Sequence, residues 1–232
     1  MRTVYIVIFL MIINHAYSMD ALDVIKRMQQ VYTAEKLEYQ CKYELFKGHE
    51  SNVAHESYAG YIYRRHNYVY QKIGQTELVF SKGFSIRINH EEQAIALHEA
   101  QKAPPLDINT EQALKECSQV LVEDKGIYYE IKLLLKPLST LPFSSISMQI
   151  RKKDYHLQQL DLYYSLVQDF SANSNKSDLQ QPHMKVTFGE LELSPVDRPE
   201  LFAFNTYLKK EDNILIPADT CTGYELIDNR VK

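Results

Sequence analysis

Residues 57–100 read SYAGYIYRRHNYVYQKIGQTELVFSKGFSIRINHEEQAIALHEA. Short segments in this stretch alternate apolar and polar residues, and each one ends at turn-forming residues such as Asn67, Gly74 and Gly83. Alternation over a few residues is typical of a β-strand with one face on an apolar surface, because successive side chains point to opposite faces. The stretch therefore predicts a meander of antiparallel strands.

The same alternation appears elsewhere in the chain. From Leu37 to Leu45 every odd position is apolar and every even position is polar, which predicts a strand with one dry and one wet face. Further strand patterns lie at residues 127–135, 143–153, 157–166 and 183–193. About ten or eleven strands are predicted in all, and a sheet of this length must curl, close or split.

Two helices are predicted beside these strands. Asp20 is a suitable N-cap for an amphipathic helix whose apolar stripe runs from Ala21 to Tyr32. A short second helix is predicted from about Thr110 to Cys117. Because two helices cannot cover both faces, we expect a mainly β fold with a few helices. Its core would be a single strongly curved antiparallel sheet (an unclosed β-barrel), covered by the N-terminal amphipathic helix and the short mid-chain helix.

The first 18 residues have the composition of a secretory signal peptide. Arg2 supplies a positive start, and the apolar run from Val4 to Ile13 is too short to span a bilayer. Small residues, Ala16 and Ser18, are suitably placed for cleavage. The alternative is a buried N-terminal strand. We predict a signal peptide over residues 1–18, one domain over residues 19–232, and export from the cytoplasm.

Composition and motifs disfavour several classes of function. With 26 basic and 30 acidic residues the formal net charge is −4, which argues against a nucleic-acid partner and a polybasic membrane anchor. The dipeptide His-Glu occurs four times but never within HExxH. Phosphate-binding glycine loops and a nucleophile elbow are also missing from the sequence. We therefore expect no enzymatic activity, no catalytic residue, no cofactor and no metal site.

Three cysteines follow the predicted signal peptide, so at most one internal disulfide can form. Cys41 lies in a strand pattern and is expected to pack in the core as a small apolar residue. Cys117 with Cys221 is the pair to test. The spacing of the three matches no zinc motif.

A strongly curved sheet that is larger than its helical filling leaves an apolar cavity. In an exported protein such a cavity suggests a hydrophobic guest. Tyrosine suits the mouth of the cavity, since it has an apolar ring and a polar tip. There are two alternatives. One is a core filled by its own side chains, which would make the protein an assembly module of an envelope or secretion complex. The other is a secreted hydrolase of unrecognised type.

Two segments of the meander resemble a known family. The first runs from Gly60 to Tyr70 and contains Arg-Arg-His-Asn before an aromatic strand, and the second is LVFSKGFSIRI, from Leu78 to Ile88. Both are similar to segments of the periplasmic outer-membrane lipoprotein carrier (LolA-like) family. The order of signal peptide, amphipathic helix, long strand and meander is similar too. His66 stands where that family usually has Pro, and Lys82 where it usually has Asp.

The resemblance implies an unclosed β-barrel that carries lipoprotein acyl chains or other lipid through the periplasm. Its partners would be an inner-membrane donor protein and an outer-membrane acceptor protein, with no nucleic acid, and we expect a monomer. The resemblance also implies that Arg65, which matches an arginine on the family's second strand, holds the helical cover. The predicted ligand-binding residues are Tyr39, Tyr43, Tyr61, Tyr63, Arg65, Ile86 and Ile88.

Overall fold

The structure is a computed structural model that describes residues 21–101, 110–171 and 177–230. The predicted signal peptide and the N-cap Asp20 lie outside these ranges, so both stay predictions. In the described ranges the chain forms three α-helices and sixteen strands, against two helices and about ten or eleven strands predicted. None of the described helices is long and apolar enough to cross a membrane.

The helices are α1 (Ala21–Tyr32), α2 (Thr110–Glu116) and α3 (Phe204–Tyr207). The strands before α2 are β1 (Lys36–Phe46), β2 (Glu56–Arg65), β3 (Tyr68–Ile73), β4 (Thr76–Phe80), β5 (Ser85–Asn89) and β6 (Ala94–His98). The strands after it are β7 (Cys117–Asp124), β8 (Tyr128–Leu135), β9 (Phe143–Arg151), β10 (Leu157–Tyr164), β11 (Gln168–Asp169), β12 (Leu179–Gln180), β13 (His183–Phe188), β14 (Leu208–Glu211), β15 (Ile214–Pro217) and β16 (Glu225–Asp228).

Twelve strands form one sheet in the order β16-β6-β5-β4-β3-β2-β1-β13-β10-β9-β8-β7. The two edges, β16 and β7, do not pair with each other, so the curved sheet stays open and is not a closed barrel. This confirms the predicted class, mainly β with an unclosed sheet. Two details differ. β16 pairs with β6 in parallel, and β11–β12 and β14–β15 form two small ribbons outside the main sheet.

One face of the sheet, which we call the inner face, packs against α1. Val24, Ile25 and Met28 on the helix are fully buried. They meet apolar side chains from β8, β9, β10 and β13, which are also fully buried: Leu133, Ile146, Met148, Leu160 and Val186. The helical spacing of the α1 stripe and the alternation in the strands produce this core directly. The predicted amphipathic helix and its role as a cover are confirmed.

On the opposite face, which we call the outer face, residues 197–224, which we call the C-terminal cover, lie over strands β2–β6. Beneath the cover lies a second apolar cluster made by β2–β6. Tyr207, Leu208 and Cys221 of the cover are buried in it. Residues 201–204 and 223–227 are short apolar segments in the sequence. The sequence pattern did not predict that they would pack over a second core. The core therefore changes from the inner to the outer face along the sheet.

The edge strand β7 was not predicted. Cys117, Val120 and Val122 pack against the inner core, and the other residues of the strand are largely exposed, so the alternation is weak. All three cysteines are free. Cys41 is buried in the inner core, as predicted, whereas Cys117 begins β7 and Cys221 lies in the C-terminal cover. The Cys117–Cys221 pair singled out for testing is not formed in the structure, because its two cysteines pack in different cores.

Candidate ligand-binding face

The seven residues predicted to bind a ligand do not meet in one cavity. Paired residues on neighbouring strands share a face. The register pairs Tyr39 with Ile62 on the inner face, and Glu38 with Tyr63 on the outer face. Tyr43 lies on the same face as Tyr39. The other five lie on the outer face: Tyr61, Tyr63, Arg65, Ile86 and Ile88. The seven residues are divided between two faces because the core changes sides along the meander, and their binding of a ligand stays a prediction.

Tyr39 and Tyr43 belong to the filled core beneath α1. The ring of Tyr39 lies 5.6 Å from the ring of Tyr32 on the helix and 5.7 Å from that of Phe188 on β13. The hydroxyl of Tyr43 accepts a hydrogen bond of 3.4 Å from Nε2 of Gln71. Both tyrosines are therefore packed in the inner core, Tyr39 directly against the helix, and their contact with a guest stays a prediction.

Tyr61 and Tyr63 are held by the C-terminal cover. The ring of Tyr63 stacks on that of Phe202 at 5.8 Å, and its hydroxyl accepts a hydrogen bond of 3.2 Å from the backbone N–H of Arg198. The guanidinium of Arg198 lies 5.6 Å from the ring centre of Tyr61, and burial raises the pKa of Tyr61 to about 12. The two isoleucines of β5 are buried beneath the same cover. These side chains anchor the cover to the sheet.

Arg65 lies on the outer face with Tyr61 and Tyr63, as the alternation of side chains along β2 predicts. Its Nη2 lies 3.7 Å from Oδ2 of Asp197, and Lys36 also contacts this carboxylate, at 2.7 Å. The ion pair is on the opposite side of the sheet from α1. The expected role of Arg65 in holding the helical cover is therefore not supported by its position.

Two depressions open on the inner face, at opposite ends of strands β3–β5. The first, the basic depression, has a volume of about 660 Å³. It forms where the β2–β3 turn, the β4–β5 turn and the residues after β6 meet, and its lining includes Arg64, His66, Tyr68, Val69, Ser81 and Lys82. The second, the Tyr58 depression, has a volume of about 470 Å³, and its lining includes Tyr58, Ile73, Thr76, Leu78, Arg87 and Glu91.

A row of cross-strand pairs on β3 and β4 joins the two depressions. The pairs are Val69–Phe80, Gln71–Leu78 and Ile73–Thr76. From Val69, which lines the basic depression, to Ile73, which lines the Tyr58 depression, the strand advances four residues, or about 13 Å. Ile73 and Phe80 also pack against the inner core. The row is thus the continuation of the inner core beyond the part that α1 covers.

Arg64 is the functional candidate that the sequence interpretation passed over. It pairs across the strands with Leu37 and Val69, both buried, so its side chain lies on the inner face at the border between the apolar core and the basic depression. Partial burial lowers the pKa of its guanidinium below the usual value. The signal was available, since alternation places Arg64 on the face opposite Arg65.

Two histidine–carboxylate pairs lie on the outer face, away from both depressions. Nε2 of His183 is 2.9 Å from Oδ1 of Asp161. Nε2 of His90 is 2.9 Å from Oε1 of Glu77, and Nδ1 of His90 is 2.9 Å from the hydroxyl of Tyr224 in the C-terminal cover. The second pair therefore ties the cover to the sheet. Among the residues that the structure describes, there is no cluster of three or more potential metal ligands.

Comparison with known proteins gives structural matches only, since no family model and no curated protein matches the sequence. An uncharacterised conserved protein from Thermus thermophilus has a TM-score of 0.47 at 8% identity, over 91% of this chain and 100% of that one. Pseudomonas aeruginosa MucB, solved with MucA, has a TM-score of 0.46 at 12% identity, over 80% of this chain and 61% of that one. A LolA superfamily protein from Nitrosomonas europaea has a TM-score of 0.31 at 8% identity, over 80% and 98%.

A protein of the superfamily that the meander resembles is therefore among the structural matches. Because each of these TM-scores is below 0.5, we draw no conclusion about this chain from them. The fold is known from its own sheet, and its function is inferred from the inner face.

Proposed function

We propose that the protein is an exported, non-enzymatic carrier that shields a hydrophobic guest on the uncovered part of its inner face. The guest is a lipoprotein acyl chain or another lipid. The observation that carries this proposal is the row of pairs on β3 and β4, in which the partly exposed Leu78 and Phe80 continue the apolar inner core between two open depressions.

The size and lining of the Tyr58 depression support the proposal. Small-molecule pockets have volumes of roughly 300–1,000 Å³ and combine an apolar lining with a few polar groups. The depression has a volume of about 470 Å³, and Ile73 and Leu78 lie beside the ring of Tyr58 in its lining. A hydrocarbon chain placed there removes apolar surface from water, at about 25 cal/mol for each Å² buried.

The composition of residues 1–18 supports export, and the proposal places the carrier in the periplasm, between a donor protein of the inner membrane and an acceptor of the outer membrane. It works without catalysis. A carrier needs a site that binds a guest reversibly, and the two depressions are open enough to do this without rearrangement of α1.

A second function is favoured by a different observation. Beneath α1 the inner core is filled, with Val24, Ile25 and Met28 fully buried. A filled core suits a non-enzymatic module that binds an envelope or secretion-complex protein through its surface. This module would take up no lipid.

Binding of a fluorescent fatty acid to the purified protein separates the two functions. The carrier binds the probe and releases it to excess unlabelled fatty acid, and native mass spectrometry of protein from its own periplasm shows a bound acylated mass. The module gives an empty mass and no probe uptake, and that result would remove the carrier proposal.

A pair of leucine variants tests the location. Leu78→Asp places a carboxylate in the lining of the Tyr58 depression, and desolvating that charge beneath a hydrocarbon chain costs more than the about 1–3 kcal/mol of a neutral polar group. We expect probe affinity to fall at least about tenfold, since each 1.4 kcal/mol is a factor of ten. Leu121→Asp is the matched control, because Leu121 of β7 is also a partly exposed strand leucine but lies on the outer face, away from both depressions. Equal affinity of the two variants would contradict the assigned site.

A further inference from the structure

The lining of the basic depression has an unusual charge. Among the residues that the structure describes, it contains Arg64, Lys82 and His66 and no aspartate or glutamate, although the whole chain has 30 acidic and 26 basic residues. The Tyr58 depression differs, because one arginine and one glutamate in its lining, Arg87 and Glu91, balance each other. Positive charge without a carboxylate in the lining favours a negatively charged ligand.

The acidic residues near the basic depression do not neutralise its positive charge. Oε2 of Glu35 lies 3.8 Å from Nδ1 of His66, and the Glu35 side chain is 83% exposed, so solvent screens this contact. Lys82 forms no salt bridge within the described part of the chain, and its side chain is exposed in the β4–β5 turn.

The guanidinium of Arg64 is the group in the depression that can bind an anion in a defined orientation. The stem of Arg64 lies between Leu37 and Val69, which are both buried, so the guanidinium is held at the edge of an apolar surface. A planar guanidinium can donate two parallel hydrogen bonds to a phosphate or a carboxylate. Lys82 adds a flexible point charge from the opposite turn.

The basic depression and the apolar lining of the Tyr58 depression lie on one face, about 13 Å apart along β3. The row of pairs between them, which includes Leu78 and Phe80, supplies apolar surface over part of this distance. A ligand that matches both ends has a charged head and a hydrocarbon chain.

We propose that the guest is an anionic amphiphile. Its phosphate or carboxylate head binds Arg64 and Lys82 in the basic depression, and its chain follows the inner face towards Tyr58. The inference rests on the proposed carrier function and adds the chemical class of the guest. A free anion and a lipid head share this chemistry, so the test includes both.

Three ligands separate the contributions of head and chain: lauroyl glycerol phosphate, lauroyl glycerol, and glycerol phosphate. Their affinities for the intact protein are measured by calorimetry below the concentrations at which the lipids form micelles. We expect lauroyl glycerol phosphate to bind at least about tenfold tighter than lauroyl glycerol, because hydrogen bonds between charged groups are roughly twice as strong as neutral ones. The preference should weaken as salt is added.

Charge variants test the location of the head. Lys82→Glu and Arg64→Gln should each abolish most of the preference for lauroyl glycerol phosphate over lauroyl glycerol. Lys210→Glu is the matched control, since Lys210 is an exposed lysine of β14, far from the inner face, and should keep the full preference. If Arg64→Gln impairs folding, the test depends on Lys82→Glu, whose position is exposed.

Each outcome has one meaning. Equal binding of the two lipids overturns the inference and leaves the carrier function standing. Glycerol phosphate that binds as tightly as the phosphorylated lipid also overturns it, because the site would then accept a free anion without a chain. Failure of both lipids to bind removes the carrier function itself. A preference that survives Lys82→Glu overturns the assignment of the head to this depression.

Discussion

Gly60 provides a sharp test of the packing on the inner face. It lies on β2 directly opposite Cys41 of β1 and beside the ring of Tyr43. A β-carbon at this position would lie 2.6 Å from Cε2 of Tyr43 and closer still to Sγ of Cys41. Both neighbours are buried, so neither can move away into solvent. Gly60→Ala should therefore destabilise the protein.

The magnitude follows from the clash. Ordinary contacts of a β-carbon begin at 3.4 Å, so the Tyr43 ring would have to move by 3.4 − 2.6 = 0.8 Å. Inserting one extra carbon into a tightly packed core costs typically about 1–3 kcal/mol. Replacing Gly by Ala lowers the entropy of the unfolded chain and offsets about 0.4–1 kcal/mol of this. We expect the free energy of unfolding to fall by about 1–2 kcal/mol.

Urea unfolding followed by circular dichroism measures this change, and since the chain has 17 tyrosines and no tryptophan, tyrosine fluorescence can report the same transition. Gly83→Ala is the control, because no atom lies within 4 Å of a β-carbon there. In a Cys41→Ala background Gly60→Ala should cost at least about 0.5 kcal/mol less, as contacting residues couple. If Gly60→Ala and Gly83→Ala have the same stability, the close packing of Gly60 is refuted.

Two further predictions concern titration and thiol reactivity. Glu116 accepts hydrogen bonds from Ser139 Oγ, Thr140 Oγ1 and Gln112, which lower the pKa of its carboxyl group to about 2. The stability that this carboxylate contributes is present above its unfolded pKa near 4.5 and is lost as the pH falls towards 2. The stability advantage of the parent over Glu116→Gln should therefore shrink between these pH values, and a constant difference in unfolding midpoints would contradict this. Native alkylation followed by peptide mass spectrometry should modify half-buried Cys117 before buried Cys41 and Cys221, and a disulfide between any two of them would disprove the assignment of three free thiols.

Part of the candidate site could be predicted from the sequence. Strand parity places Arg64 on the face opposite Arg65, and the alternation from Leu37 to Leu45 predicts a strand whose apolar side meets a helix. The sequence could not show which of the two arginines belongs to the candidate site. Alternation along the strand shows only that their side chains point to opposite faces, and not which face holds the open depressions. The resemblance to a family favoured Arg65, and the structure places this residue beside Asp197 on the outer face.

The seven predicted residues lie on two faces of the sheet for a related reason. In the middle of β2, Ile62 and Tyr63 are both buried, each in a different core. A local pattern predicts that a side chain is buried against apolar residues. It does not predict which part of the chain supplies those residues. For Tyr63 it comes from Phe202, more than a hundred residues later.

The sequence by itself determined the class of the fold: alternating strands, an amphipathic helix at the start, and turn residues between short segments. These properties are local, since the backbone places successive side chains on opposite faces of a strand and every third or fourth on one face of a helix. Only the tertiary structure decided which face each half of the sheet buries, because the C-terminal cover reaches the outer face through contacts distant in sequence. The position of the two depressions follows from the same choice, since they lie where the inner face extends beyond α1.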